Sequence, residues 1–317
     1  MSVLYAIASI RNPVFDVFFS LVTRFGEEVI YLAVALFFIW CVDKFEGYYI
    51  LSVGFLGVIV NQFLKIVCRV PRPWVKDPSF SVVEGTKEAA TGYSFPSGHT
   101  QTAVGTFGGI AYWHRKKVIV IPCLVLCVLV AFSRLYLGVH SFADVSFSLL
   151  MAGVLFFTLE PLFRYFQKNP SRFYWFIGGM GVLSLAFVLF MELYPFAPDI
   201  DAENLKSAFK NAYTILGAVL GFGLVYWLDQ AYIHYETKAI WWAQLIKLAV
   251  GLGLIIALRI VLKAPCNAIT GGHASANAIR YFLIVLFAGA LYPLTFPFFA
   301  KLGKKREKEE IKEETHV

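Results

Sequence analysis

The chain has 317 residues, 58% of them hydrophobic and only 15% charged, and a mean hydropathy of +0.66. That balance excludes an ordinary soluble protein, because apolar runs of about 20 residues recur along the whole length, each long enough to span a hydrocarbon core of about 30 Å. The formal charge of +7 does not mark a nucleic-acid partner, since its lysines and arginines fall in short loops and the tail rather than in one stripe.

In chain order, residues 1 to about 25 are interrupted by Arg11, Asp16 and Arg24 among Val14, Phe15, Phe18, Phe19 and Val22. The spacing predicts an amphipathic helix lying at the membrane surface, and no cleaved signal peptide is expected. Nine spans are predicted at about 27–42, 48–68, 98–113, 118–138, 141–160, 173–194, 211–229, 241–263 and 281–300. The polar start of the third leaves a re-entrant segment open. The fold class expected is an all-α polytopic membrane bundle, divided into a membrane core over 1–194, additional transmembrane helices over 195–300 and a charged tail over 301–317. Within the second part, 195–210 is predicted to form a short surface helix, and Gly217 and Gly221 suit close helix packing. Gly271 and Gly272 mark a turn in an outer loop, with His273 as a satisfied loop residue. The tail Lys304–Val317 mixes Lys and Glu with almost no apolar residue and reads as solvated.

Orientation follows from loop charge. The cluster His114-Arg115-Lys116-Lys117, the group Arg164, Lys168 and Arg172, and the tail lysines Lys301, Lys304 and Lys305 fall on one side if nine spans are present. The positive-inside rule makes that side cytoplasmic, with the C-terminus, and puts the opposite loops in the periplasm or outside the cell.

Those opposite loops carry the chemistry. Lys65 lies near the end of the second span, where Pro71 and Pro73 stop the helix beside Arg72. Arg134 lies at the matching end of the fourth span. A charge within a span costs energy and usually marks function, and a cluster of guanidinium forks and an ammonium suits phosphate. Ser97-Gly98-His99 opens the third span, where helix-start N–H groups approached past Gly98 add an anion site. His140 and Asp144 are four apart, hence neighbours on one helix face. A carboxylate bonded to one imidazole nitrogen leaves the other free to attack phosphorus, and His99 is free to act as general acid. A single histidine at a helix end is more often structural, and a lone His-xxx-Asp pair occurs by chance; the weight lies in the combination. The five cysteines have no metal-ligand spacing, and Arg69, one turn after Lys65, reads as snorkelling to lipid headgroups.

Together Lys65-x6-Arg72-Pro73, Pro96-Ser97-Gly98-His99 and Ser133-Arg134-x5-His140-x3-Asp144 resemble the type 2 phosphatidic acid phosphatases, a family sharing its active site with vanadium haloperoxidases and glucose-6-phosphatase. The resemblance covers residues 1 to about 194 and leaves the last three spans outside. It implies that His140 is the nucleophile forming a phosphohistidine, oriented by Asp144, and that His99 protonates the leaving group. It also implies that Lys65, Arg72, Ser97, Gly98 and Arg134 bind phosphate, with Ser133 positioning its helix and no metal or cofactor required. The expected activity is hydrolysis of a lipid phosphate or diphosphate in the plasma (inner) membrane, on undecaprenyl diphosphate, phosphatidylglycerol phosphate or phosphatidic acid. A site outside the cytoplasm tilts that choice slightly toward the polyprenyl diphosphate. A transferase passing phosphate or a headgroup between lipids uses the same chemistry. A lipid-phosphate transporter or flippase using the same pocket is the alternative from another class.

Overall fold

The computed structural model describes residues 1–88 and 90–302, so the tail expected from Lys304 lies outside the described residues. At the N-terminus the single surface helix expected is two helices, α1 (Ser2–Ala8) and α2 (Pro13–Val22), bent by 116°. The break has local causes. Asn12 caps α2 by accepting from the Val14 and Phe15 N–H groups, with Pro13 at the first helical position. Arg11 ties the bend to the bundle by donating to the carbonyls of Tyr136 (2.9 Å) and Ser81 (2.7 Å). Phe19 and Val22 are buried while Val14, Val17 and Leu21 are exposed, so α2 is apolar on both sides.

The bundle then follows as α3 (Glu28–Phe37), α4 (Lys44–Cys68), the short α5 (Pro73–Lys76), α6 (Gly98–Ala103), α7 (Gly109–His114), α8 (Lys117–Tyr136), α9 (Phe142–Lys168) and α10 (Pro170–Leu193). Seven helices of the described residues are long and apolar enough to cross a membrane, two fewer than the spans expected. One shortfall is α3, ten residues that run into a five-residue π turn, Phe38–Val42. The other is α6 and α7, joined by the π turn Val104–Gly108. Their combined run is about 25 Å long, and it opens on Thr100, Gln101 and Thr102, which are buried inside the protein rather than facing lipid.

Five more helices complete the described residues: α11 (Ala202–Leu228), α12 (Trp241–Val261) continued by α13 (Lys263–Ile269), and α14 (Ala276–Leu286), whose run ends in α15 (Phe296–Lys301). The surface helix expected before α11 is instead its first turns, because Asp201 accepts from the Asn204 N–H and starts the helix there. A methyl group on Gly217 would lie 2.0 Å from the Ala278 carbonyl oxygen and one on Gly221 3.0 Å from Val285 Cβ, so these glycines let α11 and α14 touch, backbone to backbone at Gly217. The Gly271–Gly272 turn holds, both residues having positive φ.

This C-terminal group is bound to the preceding bundle by buried polar contacts. Lys44 at the start of α4 pairs with Asp229 just beyond α11 at 2.7 Å, with Asp229 buried. Trp40 donates its indole N–H to the Ala288 carbonyl (3.0 Å) and accepts at its own carbonyl from Lys247 of α12 (2.7 Å). Around them Tyr48, Phe163, Phe173, Phe222 and Tyr226 form one aromatic cluster across α4, α9, α10 and α11. At this end Arg164 also donates to the Trp113 carbonyl at 2.8 Å, bringing two of the three basic clusters together. The opposite end carries the loops 69–97 and 137–141.

Candidate active site

At that opposite end the ends of α4, α6, α8 and α9 surround a cavity of about 580 Å³, lined by Lys65, Arg72, Gly98, His99, Arg134 and His140 among others. Six of the eight residues singled out in the sequence therefore meet in one space. The other two stand behind it. Ser97 caps α6: its Oγ accepts from the Thr100 N–H (3.4 Å) and lies 2.9 Å from the Thr100 hydroxyl. Asp144 lies behind His140.

Arg72 is the most constrained cation. Its Nε donates to the Gly92 carbonyl (3.0 Å), one Nη to Val139 O (2.9 Å) and the other to Thr91 O (2.8 Å). The same guanidinium lies 3.1 Å from His140 Nε2. Guanidinium only donates, so Nε2 must be the acceptor, and a neutral ring then carries its proton on Nδ1. Burial, followed by the charges of Arg72, Arg134 and Lys65, holds the His140 imidazole well below its usual titration range, so the neutral ring is the resting form. The Nε2 lone pair is thus met by the Arg72 guanidinium, and both groups line the cavity.

The protonated Nδ1 faces Asp144 Oδ2 at 3.6 Å, an ion-pair distance too long for a hydrogen bond. The reason is competition. Asp144 Oδ2 already accepts from the Ser94 hydroxyl (2.6 Å) and the Ser141 N–H (2.7 Å), the latter closing a capping box at the start of α9. Asp144 is therefore both a helix cap and the carboxylate behind the imidazole.

The remaining cations are held more loosely. Lys65 donates to the Tyr93 carbonyl. Arg134 donates to the Thr23 hydroxyl (2.6 Å), while its Nε is buried with no protein acceptor among the described residues. Ser133 bonds back to Val130 O at 2.6 Å and serves its own helix. Arg69 ends α4 in the left-handed conformation and lies over the Phe196 ring, away from the cavity. His273 bonds Ser275 in its turn.

Several participants escape a motif search. Ser94 and Thr23 hold Asp144 and Arg134 through single hydroxyls, a role their sequence neighbourhoods do not signal. Gly26 packs so closely under α6 that a methyl group there would lie 2.7 Å from the His99 carbonyl oxygen. Asn61, one turn before Lys65, lines the cavity with both amide atoms buried and unpartnered among the described residues; an Asn inside an apolar span is a signal that could have found it. Glu203, Lys206 and Lys210 reach the same cavity from α11.

A polytopic helix bundle whose helix ends converge on two histidines and three buried cations defines a membrane-embedded hydrolase. The comparisons with known proteins make that specific. Residues 46–169 match the PAP2 superfamily, and residues 213–305 match the transmembrane extension of PAP2 superfamily phosphatases. The undecaprenyl-diphosphatase BcrC of Bacillus subtilis is 30% identical over 171 residues, covering 52% of this chain and 84% of that protein. Sphingosine-1-phosphate phosphatase 1 of Rattus norvegicus is 24% identical over 274 residues, 81% of this chain, which spans 62% of that protein's length. A solved PAP2-type phosphatidylglycerolphosphate phosphatase from Bacillus subtilis is similar at 26% identity and a TM-score of 0.43, over 53% of this chain and 84% of that one. The chain belongs to the PAP2 superfamily, and its relatives there are phosphatases of lipid phosphates and diphosphates.

Proposed function

We propose that this protein hydrolyses a lipid phosphate or diphosphate through a phosphohistidine on His140. The observation that carries the reading is the 3.1 Å contact of Arg72 with His140 Nε2, which fixes the tautomer beside a cavity lined by cations. An incoming phosphate takes over Arg72 donors now spent on that nitrogen, and Arg134 Nε and Lys65 complete the grip on its oxygens. His99 is held neutral at rest by burial and the same cations; it takes up a proton as the phosphate dianion offsets those charges. Nε2 then attacks phosphorus as the phosphorus–oxygen bond to the lipid breaks, and His99 passes that proton to the departing oxygen. Nδ1–H now belongs to a cationic ring, so it closes on Asp144, shortening the 3.6 Å separation. Water attacks the phosphohistidine in the second half, with His99 taking its proton, and inorganic phosphate leaves. Fixed cations stabilise the charge of a loose transition state throughout.

Undecaprenyl diphosphate, phosphatidylglycerol phosphate and phosphatidic acid remain the candidates from the motif, and the long alignment with sphingosine-1-phosphate phosphatase 1 adds a single-chain lipid monophosphate. The basic clusters at the far end of the bundle support a site on the periplasmic or outer face of the plasma membrane with a cytoplasmic C-terminus. The test is labelling with a lipid carrying 32P in its phosphate and an alkaline denaturing quench. Base-stable, acid-labile label lost in His140→Ala supports the mechanism; phosphate release surviving that substitution refutes it. Release to a lipid acceptor in preference to water would make the protein a transferase.

A further inference from the structure

Directly beneath the active site lies a second, largely apolar cavity of about 270 Å³ between the first bundle and the C-terminal helices. The two cavities share Glu28, Val29, Val58 and Asn211 in their linings, so they adjoin at the level where the phosphate site ends. From there the slot descends along α4 from Val58 past Phe55 and Leu51 to Tyr48, ten residues or about 15 Å of helix. Leu36 of α3 stands on the same wall, and Ala218, Ile256 and Val285 of α11, α12 and α14 form the facing one. Without the C-terminal helices the slot would have one wall.

We propose that this slot receives the single hydrocarbon chain of the lipid whose phosphate occupies the His99–His140 site, and that the transmembrane extension exists to complete it. The inference rests on the phosphatase reading and adds the substrate's shape. Depth is the first argument: about 15 Å is one leaflet of a hydrocarbon core of about 30 Å, the reach of an ordinary membrane-lipid chain. Volume is the second: at about 30 Å³ per water-sized group, the slot holds roughly nine such groups, the bulk of one chain and too few for two. Chemistry is the third. Burying methylenes here is favourable, and binding energy from an unreactive tail can be used to hold phosphorus in line with Nε2.

The experiment compares kcat/KM for hexadecyl phosphate and butyl phosphate, whose chains reach the slot floor or stop near Val58. Three substitutions fill the slot: Ala218→Leu and Ala218→Phe from the extension, and Leu36→Trp from the opposite wall. The hexadecyl-to-butyl ratio should fall by about ten-fold or more in Ala218→Phe and Leu36→Trp, equivalent to losing roughly two buried methylenes, with Ala218→Leu intermediate. An unchanged ratio in variants that still hydrolyse butyl phosphate overturns the slot and leaves the phosphatase reading standing. A wild-type protein that releases phosphate from neither substrate nor from any lipid phosphate sinks that reading instead. Should Ala218→Phe fail to fold, Leu36→Trp and Ala218→Leu carry the same comparison.

Discussion

Gly26 offers the sharpest probe of how His99, the proposed general acid, is placed. The residue ends a short 3-10 turn, Thr23–Gly26, that abuts the start of α6. An added methyl group would sit 2.7 Å from the His99 carbonyl oxygen and 2.8 Å from its Cβ. Ordinary carbon contacts begin near 3.5 Å, so Gly26→Ala forces α6 away by about 0.7 Å. Because φ at Gly26 is negative, alanine meets no backbone penalty there, and the effect is displacement alone. Overpacking of this size typically costs about 1–3 kcal/mol of stability, which a bundle with this much buried aromatic surface survives. Misplacing a catalytic group by about 1 Å costs on the order of 100-fold. Lys65 and Arg72 sit on other elements, and Arg134 touches the 3-10 turn only through Thr23 at its far end. So kcat should fall about 10- to 100-fold with KM changed less than about three-fold. Steady-state phosphate release in detergent, alongside a thermal melt, measures both. A folded Gly26→Ala protein with kcat within two-fold of the parent would refute this account of His99 placement.

Ser94→Ala removes a 2.6 Å hydrogen bond to a buried carboxylate, a loss of about 1.5–3 kcal/mol; the freed Oδ2 should shift to His140, changing the rate of phosphohistidine formation more than that of its hydrolysis in single-turnover assays. Lys44→Met alone strands the buried Asp229 carboxylate, at about 3 kcal/mol, while adding Asp229→Leu should bring the melting temperature back toward the parent's. His140 has its pKa depressed by burial and the neighbouring cations, so its contribution to stability is complete above about pH 6.5 and is lost as pH falls from there toward the folded value. Histidine ¹⁵N NMR should accordingly show a ring still neutral at pH 6, assigned by its disappearance in His140→Asn. Hydrolysis should persist in excess EDTA, because the fixed cations supply the positive charge a metal would bring; sensitivity to chelation would count against the mechanism.

The residues that declare themselves in the sequence do so through type and spacing: Lys65, Arg72, His99, Arg134 and His140 are costly at the ends of apolar segments, and they meet. What the spacing hid is equally physical. The polar start of α6 lowers its hydropathy because it faces the protein interior, so its run resembles a span without having a span's length. The His140–Asp144 spacing puts the pair on one face but says nothing of Ser94, which approaches from a loop fifty positions earlier and claims the same oxygen. The contribution of α11 to the cavity was illegible for a related reason: nothing local in Lys206 or Lys210 says which helix ends they approach.

One consequence follows from how the cations are tethered. Arg72 and Lys65 sit on different elements, yet both lean on three consecutive carbonyls, those of Thr91, Gly92 and Tyr93. A single strip of main chain thereby works as a shared latch. Any event that lifts this strip removes the Lys65 anchor and two of the three carbonyl anchors of Arg72 at once, so the positions of both cations depend on the order of one short segment.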